Sequence, residues 1–499
     1  MEHATSKGGN TTVEKLQIHK GYWRATSTSR DIYNCFNTKA CTGGMTGASN
    51  YCLPGYEGPY CSVCSENYAR GQGFTCQECP KRSVGTAIAA VLTVLALATG
   101  IIIVRHLLYM NVGGDRRGVV DRIMQRVPIQ SVKIIVTVWQ ILTQFVSVSN
   151  INFPNVYDKF LDSVNFFNFD LSWVVSIGCF LEVDFHDRLL WTTITPVVVM
   201  GLLGVTYVIA ANKHRASSET FFRKTRQKHV STALLITFLV YSSVSSVVFQ
   251  MFACDKLDNG KIYLRADYTI ECDSDKHRAL QIYAGLMIIL YPVGIPALYA
   301  GLLFSNRRVL RDEKSREEYF ARSISHLWKP YKPQRFYYEV IECGRRILLT
   351  GAVVFICPNT ASQIAVAFAI AVFFVFVSEA MVPYKSCWDA WISRTGHAIV
   401  FASMYLALLL KVDVSGENHS SQEIFGVILV GVHGCMILAV MVHVIVLAMS
   451  LRSTKHLEDP RPRPRRSSSL DLRIQPPIAE KSDAGKNGSP AEKKIELGV

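Results

Sequence analysis

Charge is scarce in this sequence. Only 18% of its 499 residues are Asp, Glu, Lys or Arg, where a soluble chain averages about 25%. Acidic residues are the scarcer sign, 39 against 53 basic, for a net charge of +14. A chain so poor in charge and 49% hydrophobic is not disordered, not a coiled coil and not an ordinary cytosolic enzyme. Catalytic signatures are missing too. There is no Walker loop, no His-Glu-x-x-His, no Gly-x-Ser-x-Gly and no dinucleotide fingerprint, so neither an enzyme activity nor a cofactor is expected. No basic and aromatic surface suited to nucleic acid is visible. Residues 1–34 are polar and lack an apolar core, so no cleavable signal peptide is expected at the start.

What the sequence does contain is long uncharged runs. A membrane crossing needs about 20 mostly apolar residues. Clear candidates are 84–104, 134–153, 189–211, 230–252, 282–304, 364–382 and 424–451. Two weaker ones, 346–358 and 392–410, bring the expected count to nine; Arg345 and Arg346 would snorkel to the interface at the start of the first. The apolar run 171–181 is too short to cross and suits a re-entrant or interfacial segment. The predicted fold is therefore an all-α polytopic membrane protein. It would have a polar segment 1–34, a cysteine-rich module 35–82, a helical bundle 83–451 and a disordered basic tail 452–499.

Loop charges give the orientation. With the N-terminus outside and nine spans, inward segments hold 36 Lys and Arg and outward segments 17, as the positive-inside rule demands. Two Asn-x-Ser/Thr sequons, Asn10 and Asn418, then fall outside as glycosylation candidates. The tail run Arg461 to Ser469 would attract anionic lipid, and Ser468 lies in an Arg-Arg-x-Ser pattern that phosphorylation could switch.

Half of the 14 cysteines lie in one early window: Cys35, Cys41, Cys52, Cys61, Cys64, Cys76 and Cys79. Such density reads as a disulfide framework in an oxidising compartment. An odd count leaves one free thiol or a missing partner. The turn Gly55-Tyr56-Glu57-Gly58 before Cys61 is an EGF-like signature. Zinc is the rival reading, because Cys61/Cys64 and Cys76/Cys79 are two C-x-x-C pairs. Cys254 and Cys272 bracket a loop between two spans and are expected to form one more disulfide. That loop is acidic at Asp255, Asp258, Asp267 and Glu271. With Asp162, Asp170, Glu182, Asp184 and Asp187 it could form a negative vestibule that concentrates cations.

Pro292, Gly294 and Pro296 fall inside one span, where they must break helical hydrogen bonds. Freed carbonyls are tolerated in a membrane only against protein or a water-filled path, so this is a candidate gate or hinge; a fixed packing kink is the alternative. Buried polar residues are the default pointers to a pathway. Gln140 and Gln144, at i, i+4 on one face, and Glu379 are the candidates, beside plain interhelical hydrogen bonding. Glu342 and Arg346 read as an i, i+4 ion pair.

Several short stretches occur together in one order: Gly21-Tyr22-Trp23-Arg24, Cys41-Thr42-Gly43-Gly44, Gly55 to Cys64, Leu264 to Tyr268 before Cys272, Tyr291 to Pro296, Tyr338-Glu339 through Arg345-Arg346, and Pro383-Tyr384-Lys385. In this the chain resembles multi-span proteins of oomycetes, algae and other protists whose membrane domain is similar to the C-terminal domain of fungal TRP-like channels. Their ectodomains resemble EGF-like or ephrin-receptor-like cysteine modules. The resemblance implies a TRP-like cation channel, with calcium as a candidate ion, acting as an oligomer. A carrier of a small metabolite, or a receptor or adhesion protein using the cysteine module, are the alternative expectations.

Overall fold

The computed structural model describes residues 4–5, 12–44, 51–71, 74–79, 129–149, 153–168, 184–213, 219–312, 319–356, 360–412 and 419–457. The expected span 84–104, the run 171–181, and Asn10, Asn418 and Ser468 lie outside the described residues. The chain divides into two compact units, Met1–Ala448 and Met449–Val499. Of the second, only the end of the last helix is described.

The first unit is a helical bundle carrying a small β-rich module. Its principal helices are α1 (Ile129–Ser149), α2 (Asn155–Val164), α3 (Phe185–Lys213), α4 (Glu219–Gln250), α5 (Asp275–Ile288), α6 (Gly294–Ser305), α7 (Tyr338–Thr350), α8 (Ala361–Met381), α9 (Cys387–Lys411) and α10 (His419–Leu457). Among the described residues seven helical segments are long and apolar enough to cross a membrane, α5 and α6 counting as one continuous segment. That is what a multi-pass membrane protein requires, and it covers seven of the nine expected spans. The eighth, at 346–358, is not among those seven segments; its described residues, 346–356, fall in the 13-residue α7 and the 3-10 turn Ala352–Phe355 that follows it.

Apolar side chains cover the outside of this bundle as well as its centre. Trp191, Ile282, Ile289 and Phe376 are all well exposed, which is unfavourable in water and ordinary against lipid. The interior is formed mainly by α1, α8 and α9 on one side and by α3 to α6 on the other.

The module consists of four two-stranded antiparallel pairs: β1–β2 (Ala4–Thr5 with Gln17–Ile18), β3–β4 (Tyr22–Trp23 with Tyr33–Asn34), β5–β6 (Tyr56–Glu57 with Val63–Cys64) and β7–β8 (Tyr68–Arg70 with Cys76–Glu78). Strands this short bury little, so covalent links take over. Cys35–Cys41, Cys52–Cys61 and Cys64–Cys76 are disulfides. This excludes the zinc reading, since the C-x-x-C cysteines are bonded as separate disulfides. Cys79 is not a free thiol either. It is disulfide-bonded, and every other described cysteine is either paired elsewhere or free. Gly55 takes φ +88°, and a Cβ there would meet the Tyr68 ring at 2.6 Å, so only glycine fits this turn.

Between α4 and α5 the chain forms a second sheet in the order β11-β10-β9 (Asp267–Glu271, Ile262–Leu264, Cys254–Lys256). The expected Cys254–Cys272 disulfide closes it. The module packs on this sheet. Tyr268 lies 5.1 Å from Tyr60 and 5.6 Å from Phe36, ring centre to ring centre, and Leu257 joins the same core as Trp23 and Tyr51. Burial pushes the Tyr60 phenol above its ordinary pKa, with Asp255 adding to the effect.

Candidate functional site

Two features of the bundle carry chemistry: a break in the α5–α6 segment and a cluster of buried charges at the end of the bundle away from the disulfide sheet.

The break falls at Pro292. Residues Ile289–Val293 form a π-helical turn between α5 and α6. Proline has no N–H to give the carbonyl four residues earlier, and its ring clashes with that carbonyl. Widening the turn by one residue relieves both. Gly294 completes it. A Cβ at Gly294 would come 2.9 Å from the Ile289 carbonyl oxygen, closer than such contacts tolerate. The turn is anchored on one side, where Tyr291 is buried and its hydroxyl donates to the Thr193 carbonyl of α3 at 2.7 Å. On the other side Ile289 and Val293 are exposed. Thus Pro292 and Gly294 sit in the π turn or at its edge, and Pro296 sits in the first turn of α6.

The charge cluster is built from α1, α7 and α9. Lys133 donates to Glu339 at 3.1 Å, both nearly inaccessible. Glu339 also accepts from the Tyr331 hydroxyl at 2.8 Å, and Lys133 donates to the His326 carbonyl at 3.2 Å. One turn further along α7, Glu342 pairs with Arg345. This replaces the expected Glu342–Arg346 pair. Arg345 and Arg346 are 4% and 1% exposed, so neither snorkels. Arg346 turns into the bundle and donates to Gln140 Oε1 at 2.7 Å, Ser242 Oγ at 2.8 Å and the Phe238 carbonyl at 3.0 Å. Its guanidinium stacks 4.4 Å from the Phe238 ring centre. Lys133, Glu339, Glu342, Arg345 and His397 enclose a cavity of about 20 Å³, space for one water.

Gln140 is therefore a ligand of Arg346. Its own amide donates to the Phe167 and Leu239 carbonyls, which ties α1 to α4 and α7. Gln144 is buried, and its amide oxygen has no hydrogen-bond partner among the described residues. Glu379 is elsewhere, half-exposed and bound in a two-bond pair by Arg394 at 2.7 and 2.9 Å. Among the described residues the three expected pathway residues share no hydrogen-bond partner. Lys133, Glu339, Glu342 and Arg345 were not singled out as pathway residues from sequence. The available signal was charge inside an otherwise apolar stretch, which by itself marks a site in a membrane.

The acidic loop is largely neutralised. Asp255 accepts from Arg265 at 2.8 Å and from the Tyr268 hydroxyl at 2.7 Å. Glu271 pairs with Lys261, and Asp184 with Lys276. Asp267 lies 3.6 Å from Arg70 of the module and accepts the Phe185 amide that opens α3. Burial alone would raise Asp184, but the Asp187 amide and Lys276 outweigh it and hold the carboxyl below its ordinary pKa. Asp170 and Glu182 lie outside the described residues. Cys254, Cys272 and His277 cluster closely enough to suggest a metal site, but the two sulfurs are joined to each other and offer no thiolate.

Comparison with known proteins gives no matching family model, no similar curated protein and no similar solved structure.

Proposed function

We propose that this protein is a TRP-like cation channel of a cellular membrane, with the N-terminal module outside, the basic tail in the cytoplasm and the π-helical turn at Pro292 as its gate. The observation that carries the reading is that turn. It is a break in a membrane-length helix, held by Tyr291 on one side and open on the other, and such turns favour functional positions. The segment begins directly after the sheet on which the module sits, so a force on the module has a short route to it. The neutralised acidic loop leaves the π turn, rather than a negative vestibule, as the element that sets conduction.

Whole-cell recording from cells displaying the full chain tests this. Cation current under stretch, heat or added lipid, altered by Pro292→Ala, is the expected result. Surface-displayed protein that stays silent under all three stimuli overturns it. The receptor reading is favoured by one observation, the seating of the module on the β9–β11 sheet. A chain that conducts nothing yet loses its cellular response without residues 1–82 would move the conclusion there. The carrier reading needs Gln140, Gln144 and Glu379 around one substrate, and their separate partners do not support it.

A further inference from the structure

The last membrane-length helix, α10, turns one narrow stripe to the bundle. Gly426, Leu429, His433, Met436 and Val440 are buried, and residues recurring every three or four positions share one helix face. Most of the other described side chains of α10 are exposed. Two histidines carry polar contacts along the stripe. His433 is closed off. Its Nδ1 lies 3.4 Å from the Trp139 indole nitrogen, which donates to it. An indole N–H only donates, so the ring proton of His433 sits on Nε2, 3.4 Å from the Tyr157 hydroxyl.

His443, one turn beyond Val440 and half-buried, is placed differently. Its Nδ1 lies 3.2 Å from Ser131 Oγ of α1, and Ser131 donates to Asp389 Oδ1 of α9 at 2.9 Å. Both partners are buried. A hydroxyl has one proton and Asp389 takes it, so the second bond is donated by His443 Nδ1–H. Trp388 stacks on the same imidazole, with ring centres 5.4 Å apart and planes 11° from parallel. Serine, histidine and aspartate are also the residue types of a hydrolase triad, but here the serine proton goes to the carboxylate and the imidazole does not withdraw it. The charges balance only when His443 is protonated. Among the described residues Asp389 pairs with no Lys or Arg, since Lys133 is turned to Glu339 and Arg394 to Glu379. The imidazolium across Ser131 is the cation that reaches Asp389, and Asp389 is the one charged group facing His443 among the described residues. A carboxylate buried without a cation is costly. A proton added at His443 Nε2 keeps both hydrogen bonds, makes them charge-assisted and sets a cation against the Trp388 ring.

We propose that Asp389 and His443 form a proton-binding site bridged by Ser131, and that the bound proton fastens this end of α10 to α1 and α9. Imidazole is the side chain whose ordinary titration falls between about pH 5 and 8. Once the proton leaves, a neutral ring no longer balances Asp389 and this end of α10 loosens, while His433 holds the helix further along. Ser131 opens α1 at the end of the bundle away from the disulfide sheet, so the site senses the pH on that side of the membrane. It goes beyond ion conduction and would act the same way in a channel, a carrier or a receptor.

The test uses the full chain in detergent micelles, taken from about pH 5.5 to about pH 8. Hydrogen exchange, corrected for the intrinsic pH dependence of amides, should show residues 436–446 losing protection about fivefold over that range, with residues 426–434 unchanged. An imidazolium quenches a stacked indole more than a neutral imidazole does, so the fluorescence difference between the parent and Trp388→Phe should grow as pH rises. His443→Gln should hold residues 436–446 at the exchange rate the parent shows at pH 8 and abolish the fluorescence response. Asp389→Asn should remove the pH dependence of exchange, because no carboxylate is left to balance. Exchange in 436–446 that ignores pH, a flat fluorescence difference, or a pH response that persists in His443→Gln overturns the proposal. The exchange measurement on the unmodified protein decides the matter even if no variant folds.

Discussion

The two ends of the bundle are held by different physics. At the end bearing the module, the chain is fastened by disulfides, short sheets and stacked aromatic rings. At the other end, Lys133, Glu339, Glu342, Arg345 and Arg346 are fastened by charge. Losing a covalent link or a ring contact loosens the chain but leaves no charge behind. A buried charge does not, because its partner's loss leaves it uncompensated in a medium that cannot solvate it. The difference teaches that similar burial can hide different causes of sensitivity to substitution.

The sharpest way to break this contrast is at the charged end. Arg346→Leu strands Gln140 Oε1 and Ser242, and Lys133→Met strands Glu339. Lys133→Met leaves a buried carboxylate unpaired and should cost about 3–5 kcal/mol; Arg346→Leu strands neutral acceptors and should cost about 1–3 kcal/mol for each; both are read as a large fall in unfolding temperature of the micelle-solubilised protein. Lys133→Met combined with Glu339→Met should recover most of that loss, since two apolar groups replace a pair and no charge is left alone. A double variant as unstable as either single one would contradict the account.

At the disulfide end, removing Cys254–Cys272 with paired serines opens a loop with a sequence separation of 18. The expected cost is about 3 kcal/mol. Faster hydrogen exchange should be concentrated in the β9–β11 sheet and the module, with α7 unaffected. Exchange rising first in α7 would show that the two ends are not independently held.

Gly294→Ala tests the segment between them. Alanine normally stabilises a helix interior by about 0.5–1 kcal/mol over glycine. Here its Cβ meets the Ile289 carbonyl, so about 1–2 kcal/mol of destabilisation is expected instead. A stabilised variant would mean that the π turn relaxes at no cost.

The smallest effect is titratable. Burial, with Asp162 adding to it, pushes Asp158 on α2 up to about 6. A carboxyl raised in the folded state favours that state while protonated, and the advantage is lost as pH rises from the ordinary carboxylate value through about 6. Asp158→Asn should therefore unfold at a higher temperature than the parent at pH 8 and at the same temperature at pH 4. Equal unfolding temperatures at both pH values would remove this assignment.

Long apolar runs were legible because lipid demands length and hydropathy together. The expected spans 189–211, 282–304 and 364–382 lie within or closely match α3, the α5–α6 segment and α8. The Cys254–Cys272 bond and the break at Pro292 were legible for a similar reason, since each follows from local covalent chemistry. The charge cluster was not. Periodicity shows that Arg345 and Arg346 share a short helix with Glu339 and Glu342, but which of them meets which depends on α1 and α4 arriving from elsewhere in the chain. Glu379 was read as a buried pathway group because it ends an apolar run. Its actual neighbour, Arg394, lies 15 positions away across a turn, a distance that no local pattern reports.

The bonding of Cys79 has a practical corollary for anyone handling this protein. Because its sulfur reaches past the six cysteines that pair within the module, a protease cut just downstream of residue 82 should not free the N-terminal module. The piece would migrate with the remainder on a non-reducing gel and separate only after dithiothreitol. Release of the module would then need a reductant as well as a cut.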